Sequence, residues 1–213
     1  NNRPFSLRNK TFDVLIDKLN IIIKDCNEQI PLDEIQLIGK HNYYNILAAI
    51  TIAKIYNIKN GIIFKTLTEF KPLKHRLEKL KKYDGINFIN DSKGTNIFST
   101  EAAVNSFNNN IILILGGSKD EIENNIFLEI LNKKHIIHIV CYGEVGKELT
   151  EIFNKTKPIK YSPIFKDAVI EAIKLAKKDD TILLSPAFKS YDQFNNFEER
   201  GNEFENIIKR YYA

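Results

Sequence analysis

The most concentrated set of chemically capable side chains lies at residues 90–96, with the sequence NDSKGTN. Asp91 brings a carboxylate and Lys93 an ammonium, while Ser92 and Thr95 each bring a hydroxyl. Such a set suits ribose hydroxyls, a phosphate or a carboxylate as its ligand. A polar turn is the alternative, because Asn, Asp, Ser and Gly all favour turns. The spacing by itself leaves both interpretations open.

Residues 185–201, SPAFKSYDQFNNFEERG, form a second such stretch directly after a buried apolar run. Aromatic residues alternate there with hydroxyl, carboxylate and amide groups. A hydroxyl combined with the free amides of a helix N-terminus suits a carboxylate ligand. Gly201 interrupts a helical pattern at a cost of about 1 kcal/mol relative to Ala, which predicts a close-packing reason for this glycine.

Three smaller candidates carry weaker signals. Residues 116–120, GGSKD, either let an anion approach the backbone with Lys119 as counter-charge or form a tight turn with a surface lysine. Arg76 follows a proline that breaks the pattern and is placed to reach between domains, although an exposed arginine is the ordinary case. The amides of Asn42 and Asn45 suit a purine, but their spacing favours helix capping.

Composition excludes several classes of protein. A hydrophobic fraction of 43% over 213 residues supports a sizeable core, and no apolar run approaches the roughly 20 residues that span a membrane. The net charge of +4 comes from scattered lysines, so nucleic-acid binding has no support. Cys26 and Cys141 lack metal-ligand spacing and indicate reduced thiols in a cytoplasmic protein. The sequence contains no Met, which predicts that it is part of a longer protein.

The first part of the chain is predicted to form short strands followed by two helices. Apolar runs separated by turn formers indicate strands at residues 5–7, 11–15, 20–24 and 35–38. Apolar residues at helical spacing indicate helices over residues 43–56 and 61–70. The break at residues 71–74, KPLK, marks the predicted domain boundary.

Beyond this boundary, strands and helices alternate. Apolar runs predict strands at residues 85–89, 111–115, 135–142, 159–161 and 181–184. Amphipathic patterns predict helices at residues 99–104, 121–132, 144–153, 165–177 and 197–211. Buried strands joined through helices predict an α/β fold with a doubly wound, mostly parallel sheet covered on both faces. The loops at the carboxyl ends of such strands meet at one edge, so we expect the polar stretches to meet there.

Six motifs connect this sequence to one known family. They are GKHNYYNILAA at 39–49, LKHRLE at 73–78, NDSKGTN at 90–96, STEAA at 99–103, LGG at 115–117 and LLSPAFKSYDQFNNFEERGNEF at 183–204. In kind, order and spacing, these motifs resemble the Mur ligase family over residues 39–213. The forms NDSKxTN and SPAxxSxDQFxNFExRG are similar to those of the family member that adds D-glutamate.

The resemblance implies a place in a three-domain enzyme. Residues 1–72 would be the C-terminal part of the central ATP-binding domain, with its strands and helices. Residues 73–213 would be the C-terminal Rossmann-like domain, which binds the incoming amino acid. The UDP-binding domain, the P-loop and the metal-binding residues would lie outside this sequence, so the chain alone is expected to be inactive. A cytoplasmic monomer without membrane or nucleic-acid partners is expected.

The resemblance also implies a reaction. ATP with Mg²⁺ would phosphorylate the carboxylate of UDP-N-acetylmuramoyl-L-alanine, and the amine of D-glutamate would attack the acyl phosphate, in peptidoglycan synthesis. Positioning and charge neutralisation dominate such phosphoryl transfer. Another Mur-family or folylpolyglutamate-type ligase and a non-catalytic Rossmann-like binding module are the alternatives.

Carried over by position, the resemblance assigns the nucleotide contacts. Asn42 and Asn45 would contact adenine, and Asp91 would contact the ribose. Arg76 and Lys93 would face the phosphates and act as the catalytic residues.

The resemblance assigns the amino-acid contacts in the same way. Thr95 and Lys119 would hold one carboxylate of D-glutamate. Ser190 and the backbone of Phe197 would hold the other. The Phe188–Lys189 pair stands where the family usually has small residues.

Overall fold

The structure, a computed structural model, describes residues 5–6, 14–17, 20–23, 28–122 and 124–213. Cys26 and parts of the predicted strands, at residues 7, 11–13 and 24, lie outside these ranges. The chain forms two compact units, Asn1–Pro72 and Leu73–Ala213. Across the described residues, no helix combines the length and the apolar character that crossing a lipid bilayer requires.

The first unit contains a four-stranded sheet and two helices. Its strands are β1 Phe5–Ser6, β2 Val14–Asp17, β3 Asn20–Ile23 and β4 Glu28–Pro31. They lie in sequence order, with β1 parallel to β2 and the other neighbours antiparallel. The helices are α1 Lys40–Ile55 and α2 Asn60–Glu69.

Apolar side chains at strand and helix spacing build the core of this unit. Ile21 and Ile23 point to the same face of β3, and both are buried. Ile46, Leu47 and Ile50 form the buried stripe of α1 in the same core. These periods of 2 and 3.6 residues are the ones that the sequence pattern displayed.

One predicted strand of the first unit is wrong. Residues 35–38 form no strand, and the strand that pairs with β3 is instead Glu28–Pro31. A 3₁₀ turn at Leu32–Glu34 then takes the chain off the sheet. Ile35 is nevertheless buried, at 6% exposed. The apolar residues of this segment thus indicated a core contact, which an extended loop can make as well as a strand can.

The second unit is built on a six-stranded sheet. Its strands are β5 Glu78–Lys79, β6 Asn87–Asn90, β7 Ile111–Gly116, β8 Ile136–Tyr142, β9 Ile159–Ser162 and β10 Thr181–Ala187. Their order is β5-β6-β10-β7-β8-β9, and all neighbours are parallel except β5 and β6. This sheet confirms the predicted α/β fold. Strand β5 was not predicted, because a strand of two residues is too short to show an alternation of apolar and polar side chains.

Helices cover both faces of this sheet. They are α3 Ile97–Val104, α4 Asn124–Leu131, α5 Gly143–Phe153, α6 Phe165–Leu175 and α7 Phe197–Tyr211. Helices α6 and α7 share one core with Phe88, Ile112 and Leu184. The alternate strand residues face the other way, as Cys141 does, whose thiol contacts Thr150 of α5 and has its pKa raised to about 12 by burial. Burial on both faces explains the continuous apolar strands.

Two helices begin two or more residues earlier than predicted. Helix α3 begins at Ile97 rather than Ser99, because Asn96 caps it: Asn96 Oδ1 accepts a hydrogen bond from the Ser99 amide at 2.9 Å. Helix α1 begins at Lys40 rather than at residue 43. Asn and Ser cap helices about equally well, so the sequence could not rank Asn96 above Ser99.

Candidate functional site

The polar loops of the second unit gather at the carboxyl edge of its parallel sheet. Strands β6, β7, β8 and β10 all end at this edge. The loops that follow them, which we call the rim, are residues 90–96, 116–120, 143–144 and 188–196. Open α/β sheets bind their ligands at this edge.

Asp91 lies buried at the end of β6, only 6% exposed. Its Oδ1 accepts a hydrogen bond from the Leu77 amide at 3.2 Å, and its Oδ2 accepts one from the Ser185 hydroxyl at 2.7 Å. Burial raises the pKa of Asp91 to about 6, although both hydrogen bonds and the Arg76 and Arg200 charges lower it. Each carboxylate oxygen has a second lone pair, so Asp91 can still accept a hydrogen bond from a hydroxyl.

Asn90 and His75 join the start of this unit to helix α7. Asn90 Nδ2 lies 3.0 Å from His75 Nδ1 and donates to the Gly201 carbonyl at 2.9 Å. His75 is 3% exposed, and its carbonyl accepts from the Lys93 amide at 3.0 Å. A Cβ on Gly201 would lie 2.2 Å from His75 Nδ1. The close-packing reason predicted for this glycine is therefore confirmed.

Arg200 of α7 fixes three strand ends from inside the fold. Its guanidinium is fully buried and donates twice to Ser92, from Nε to Oγ at 2.9 Å and from Nη2 to the carbonyl at 2.7 Å. Its Nη1 donates to the Tyr142 hydroxyl and to the Phe188 carbonyl, both at 3.0 Å. These partners lie at the ends of β6, β8 and β10, so one side chain sets the spacing of three rim loops.

Arg200 lies within the motif at residues 183–204, but no role was predicted for it from the sequence. A signal was present, because Phe204 and Ile207 follow Arg200 at helical spacing and form the buried face of α7. An arginine on an apolar face needs acceptors and a compensating charge. The Arg200 charge is near enough to Asp91 to lower the pKa of this carboxyl, against the larger effect of burial, which raises it.

Two exposed cations lie beside this buried cluster. Lys93 Nζ is 5.2 Å from the centre of the Phe197 ring, a cation–π contact at the start of α7. Arg76 is exposed and close enough to Asp91 to lower its pKa. Ser92 Oγ donates to the Phe197 carbonyl at 2.8 Å, which ties the helix start to the loop at residues 90–96. Four predicted site residues therefore lie together, namely Arg76, Asp91, Lys93 and Phe197.

Thr95 lines a cleft of about 230 Å³ in the rim. The cleft is also lined by the start of α3, by Asp120 and by Phe188. Phe188 is 4% exposed and stacks on Phe127 of α4, with ring centroids 5.7 Å apart and planes 9° from parallel. The bulky Phe188 side chain, which stands where the family usually has a small residue, therefore packs mainly against α4.

Lys119 lies in the turn after β7, with its side chain exposed. Its amide donates to Glu144 Oε2 at 3.0 Å. The preceding amide, of Ser118, donates to the Lys189 carbonyl at 2.9 Å. Lys119 follows Ser118, and Ser190 follows Lys189. The two predicted site residues therefore lie next to this hydrogen bond, on neighbouring segments.

Ser190 is 2% exposed and begins a tight turn in the loop after β10. Its carbonyl accepts from the amides of Gln193 at 3.1 Å and Phe194 at 2.8 Å. This loop passes directly over the glycine pair that ends β7, because a Cβ on Gly117 would lie 2.0 Å from the Lys189 carbonyl oxygen. The close approach to the backbone that these glycines permit is thus made by the Lys189 carbonyl of the protein itself.

In the first unit, Asn42 and Asn45 lie in the first turns of α1. Asn42 is 9% exposed and donates to the Ile38 carbonyl at 2.7 Å, while the exposed Asn45 donates to Asn42 Oδ1 at 3.5 Å. The N-cap of α1 is Gly39, without a side-chain cap, so the capping interpretation was wrong for both residues. Their contact with adenine stays a prediction.

The rim offers the chemistry of anion binding. Exposed ammonium and guanidinium groups, a hydroxyl in a cleft and the free amides of a helix start all favour negatively charged ligands. Within the described ranges, no group of three or more His, Cys, Asp or Glu side chains is arranged to hold a metal ion.

The family described as Mur ligase, glutamate ligase domain, matches residues 75–188, which is more than half of the chain. A UDP-N-acetylmuramoylalanine–D-glutamate ligase of Streptococcus agalactiae is 37% identical over 204 residues, or 94% of this chain and 44% of the relative. The ligase of that name from Porphyromonas gingivalis is 36% identical over 207 residues, or 94% and 46%. The chain therefore spans less than half the length of these relatives.

Solved structures of low sequence identity have the same fold. The UDP-N-acetylmuramate–alanine ligase MurC of Thermotoga maritima matches with a TM-score of 0.67 at 13% identity, over 97% of this chain and 47% of that chain. The MurF ligase of Thermotoga maritima in complex with ADP matches with a TM-score of 0.65 at 15% identity, over 97% and 49%. Together with the family match, the sheet and its rim lead to one conclusion: this chain belongs to the Mur ligase family.

Proposed function

We propose that this chain supplies the amino-acid-binding part of an ATP-dependent ligase that joins D-glutamate to UDP-N-acetylmuramoyl-L-alanine in peptidoglycan synthesis. Support comes from the D-glutamate ligases that match 94% of the chain. The observation that carries the proposal is that three predicted binding loops touch at the rim. The Ala187 amide donates to the Gly94 carbonyl, and the Ser118 amide to the Lys189 carbonyl, both at 2.9 Å.

A small dicarboxylate suits the donors along this edge. In the proposal, the Thr95 hydroxyl and the Lys119 ammonium hold one carboxylate of D-glutamate. The Ser190 hydroxyl and the Phe197 amide hold the other. Phe197 is the first residue of α7, so its amide has no acceptor within the helix and is free for a ligand. Hydrogen bonds to a carboxylate are charge-assisted and stronger than neutral ones.

The nucleotide is proposed to approach the other part of the rim. ATP supplies the phosphoryl group that activates the acceptor carboxylate, through an acyl phosphate. The exposed cations Arg76 and Lys93 fit its phosphates, and neutralising charge there favours phosphoryl transfer. Asp91 retains lone pairs for a ribose hydroxyl, and the exposed Asn45 amide suits a purine, with Asn42 bonded behind it. Mg²⁺ belongs to the proposal without an assigned ligand among the described residues.

Amino-acid-dependent release of ADP by the full-length natural protein tests this function. With ATP, Mg²⁺ and UDP-N-acetylmuramoyl-L-alanine present, we expect turnover with D-glutamate and none with L-glutamate, L-lysine or meso-diaminopimelate. Turnover with a different amino acid would identify a sibling ligase. Absence of turnover with every amino acid would favour a binding module.

Two variants separate the proposed roles. Lys93→Ala is expected to lower kcat by about 10²–10³-fold, because it removes a charge that acts in the transition state. Ser190→Ala is expected to raise the KM for D-glutamate about tenfold, because it removes one hydrogen bond to a charged ligand. Lys209→Ala is the matched control, a surface lysine paired with Glu205 near the end of α7. Unchanged kinetics in both rim variants would remove the assignment.

A further inference from the structure

Asp192 and Gln193 lie side by side in the rim loop after β10, and each contacts the start of a different helix. Asp192 Oδ2 accepts a hydrogen bond from the amide of Glu144, the second residue of α5, at 3.3 Å. Gln193 Oε1 accepts one from the amide of Phe165, the first residue of α6, at 2.9 Å. Gln193 Nε2 also donates to the Pro163 carbonyl at 3.0 Å.

Neither helix supplies these contacts from its own sequence. The N-cap residues, Tyr142 for α5 and Ile164 for α6, make no side-chain cap hydrogen bond. The first amides of a helix lack acceptors within it. Asp192 and Gln193 therefore provide, from a distant part of the chain, the caps that helices usually obtain from the N-cap residue. The negative charge of Asp192 is also favourable at a helix N-terminus.

Two glycines allow the loop to reach these helices. Gly143 has φ +72°, and a Cβ there would lie 2.2 Å from Asp192 Oδ2 and 2.9 Å from the Gly117 carbonyl oxygen. Gly117 has φ +140°, and a Cβ there would lie 2.0 Å from the Lys189 carbonyl oxygen. Residues 189–192 therefore pass over the edge of the sheet at two glycines, where a side chain on Gly117 or Gly143 would block them.

This crossing and the two caps determine where Ser190 lies. Ser190 and Gln193 are the two ends of one turn, closed by the 3.1 Å hydrogen bond from the Gln193 amide to the Ser190 carbonyl. The Phe194 ring packs edge-on against Phe165, with centroids 5.1 Å apart, and fastens the same turn to α6. Ser190 therefore lies between Lys189, which contacts Gly117, and the two residues that contact the helices, Asp192 and Gln193.

We propose that Asp192 and Gln193 are positioning residues for the incoming amino acid, because their caps on α5 and α6 hold the Ser190 hydroxyl in place. Neither side chain is proposed to touch a reacting group. The inference rests on the proposed function for the identity of the amino acid, D-glutamate. A turn held in place before binding needs no ordering when the ligand arrives, and this raises affinity.

Kinetics of the full-length natural protein give the first test. Asp192→Ala and Gln193→Met, which keeps the side-chain length, are each expected to raise the KM for D-glutamate about tenfold. The KM values for ATP and for UDP-N-acetylmuramoyl-L-alanine are expected to change less than about twofold, because those substrates do not use the Ser190 turn. Asp192→Asn keeps an oxygen acceptor for the Glu144 amide and is expected to restore the wild-type KM.

A matched control comes from the opposite edge of the sheet. Asn109 Nδ2 donates to the Thr181 hydroxyl at 2.7 Å, which is also a side-chain bond between a loop and another segment. Asn109→Ala is expected to leave all three KM values unchanged. A KM for D-glutamate that rises equally in this control would show that any loosening of the unit has the same effect, and would overturn the proposal.

Hydrogen exchange gives a readout that needs no substrate. The amides of residues 190–194, and those of Glu144 and Phe165, are expected to exchange about tenfold faster in the capping variants. If the wild type is inactive with D-glutamate but exchange rises, the function is refuted and the anchoring of the turn is supported. If the wild type is active while the variants keep its KM and its exchange, the function stands and the positioning proposal is overturned.

Discussion

At the scale of single residues, the rim depends on buried charged side chains that form hydrogen bonds with neutral groups. Asp91 accepts from the Ser185 hydroxyl, and Arg200 donates to Ser92 and to the Tyr142 hydroxyl. Burial raises the pKa of Tyr142 to about 12, so this hydroxyl stays neutral beside the guanidinium. Buried ionic groups are less favourable for stability than apolar ones of the same size. Their presence at a strand-end rim therefore points to function.

Asp91→Asn is expected to stabilise the fold at neutral pH. The pKa of Asp91 is about 6 in the folded protein against an ordinary value of 3.8, so folding favours the protonated carboxyl. This contribution is present below about pH 4 and is lost as the pH rises through 6. The variant, which does not ionise there, should gain about 2–3 kcal/mol over the wild type between pH 4 and pH 7.5. Urea denaturation at the two pH values measures the gain.

Ser185→Ala serves as the companion variant. It removes the 2.7 Å hydrogen bond that lowers the pKa of Asp91. The pH range in which stability declines is therefore expected to shift upward. If Asp91→Asn retained the pH dependence of the wild type, a different group would be responsible.

At the scale of elements, the ends of the strands and helices are shaped by contacts between segments. Gly116 and Gly117 end β7 with φ +139° and +140°. A Cβ on Gly116 would lie 2.0 Å from the Tyr142 carbonyl oxygen, and one on Gly117 equally close to that of Lys189. The end of β8 and the loop after β10 therefore pack directly against the backbone of the turn after β7.

Gly117→Ala is expected to destabilise the second unit by at least about 2 kcal/mol, since both the positive φ and the backbone contact oppose a side chain. Gly61→Ala is the matched control, because a Cβ on Gly61 of α2 meets nothing within 4 Å. It should be neutral or stabilise by up to about 1 kcal/mol. Urea denaturation of both variants measures the contrast, and equal stability would mean that the loop can move off the turn at no cost.

At the scale of the whole molecule, the two units have separate cores. The second unit has a sheet covered on both faces and carries every predicted amino-acid contact. The first unit, with its smaller sheet, carries the two predicted adenine contacts on its helix α1. The predicted ribose and phosphate contacts, Asp91, Arg76 and Lys93, lie in the second unit with the predicted amino-acid contacts.

Residues 73–213 are expected to fold when expressed alone, because their core is complete within the unit. Unfolding in urea should then be a single cooperative transition. Phe88→Ala should lower the free energy of unfolding by about 3–5 kcal/mol, since Phe88 is fully buried. Phe98→Ala is the matched control at a residue 60% exposed, and it should change stability by less than about 1 kcal/mol. Non-cooperative unfolding would mean that this unit depends on the first.

Sequence alone determined the features that are written in local periodicity. Continuous apolar runs joined through amphipathic helices predicted the α/β class, and the polar stretches that follow such runs, at residues 90–96 and 185–201, predicted a binding edge at the ends of the strands. Gly201 was identified because a glycine inside a helical pattern is locally unfavourable. Each of these signals lies within a few residues of the chain, where strand and helix geometry acts directly on side-chain order.

Only the tertiary structure decided which distant groups become partners. Arg200 bonds Ser92 across 108 positions, and Gln193 caps Phe165 across 28. The prediction placed a strand at residues 35–38, whereas Glu28–Pro31 forms it. This was likewise decided by which segment pairs with β3. The physical reason is that hydrogen-bond donors and buried charges accept any suitable partner that the fold brings near, and local spacing does not specify which one arrives.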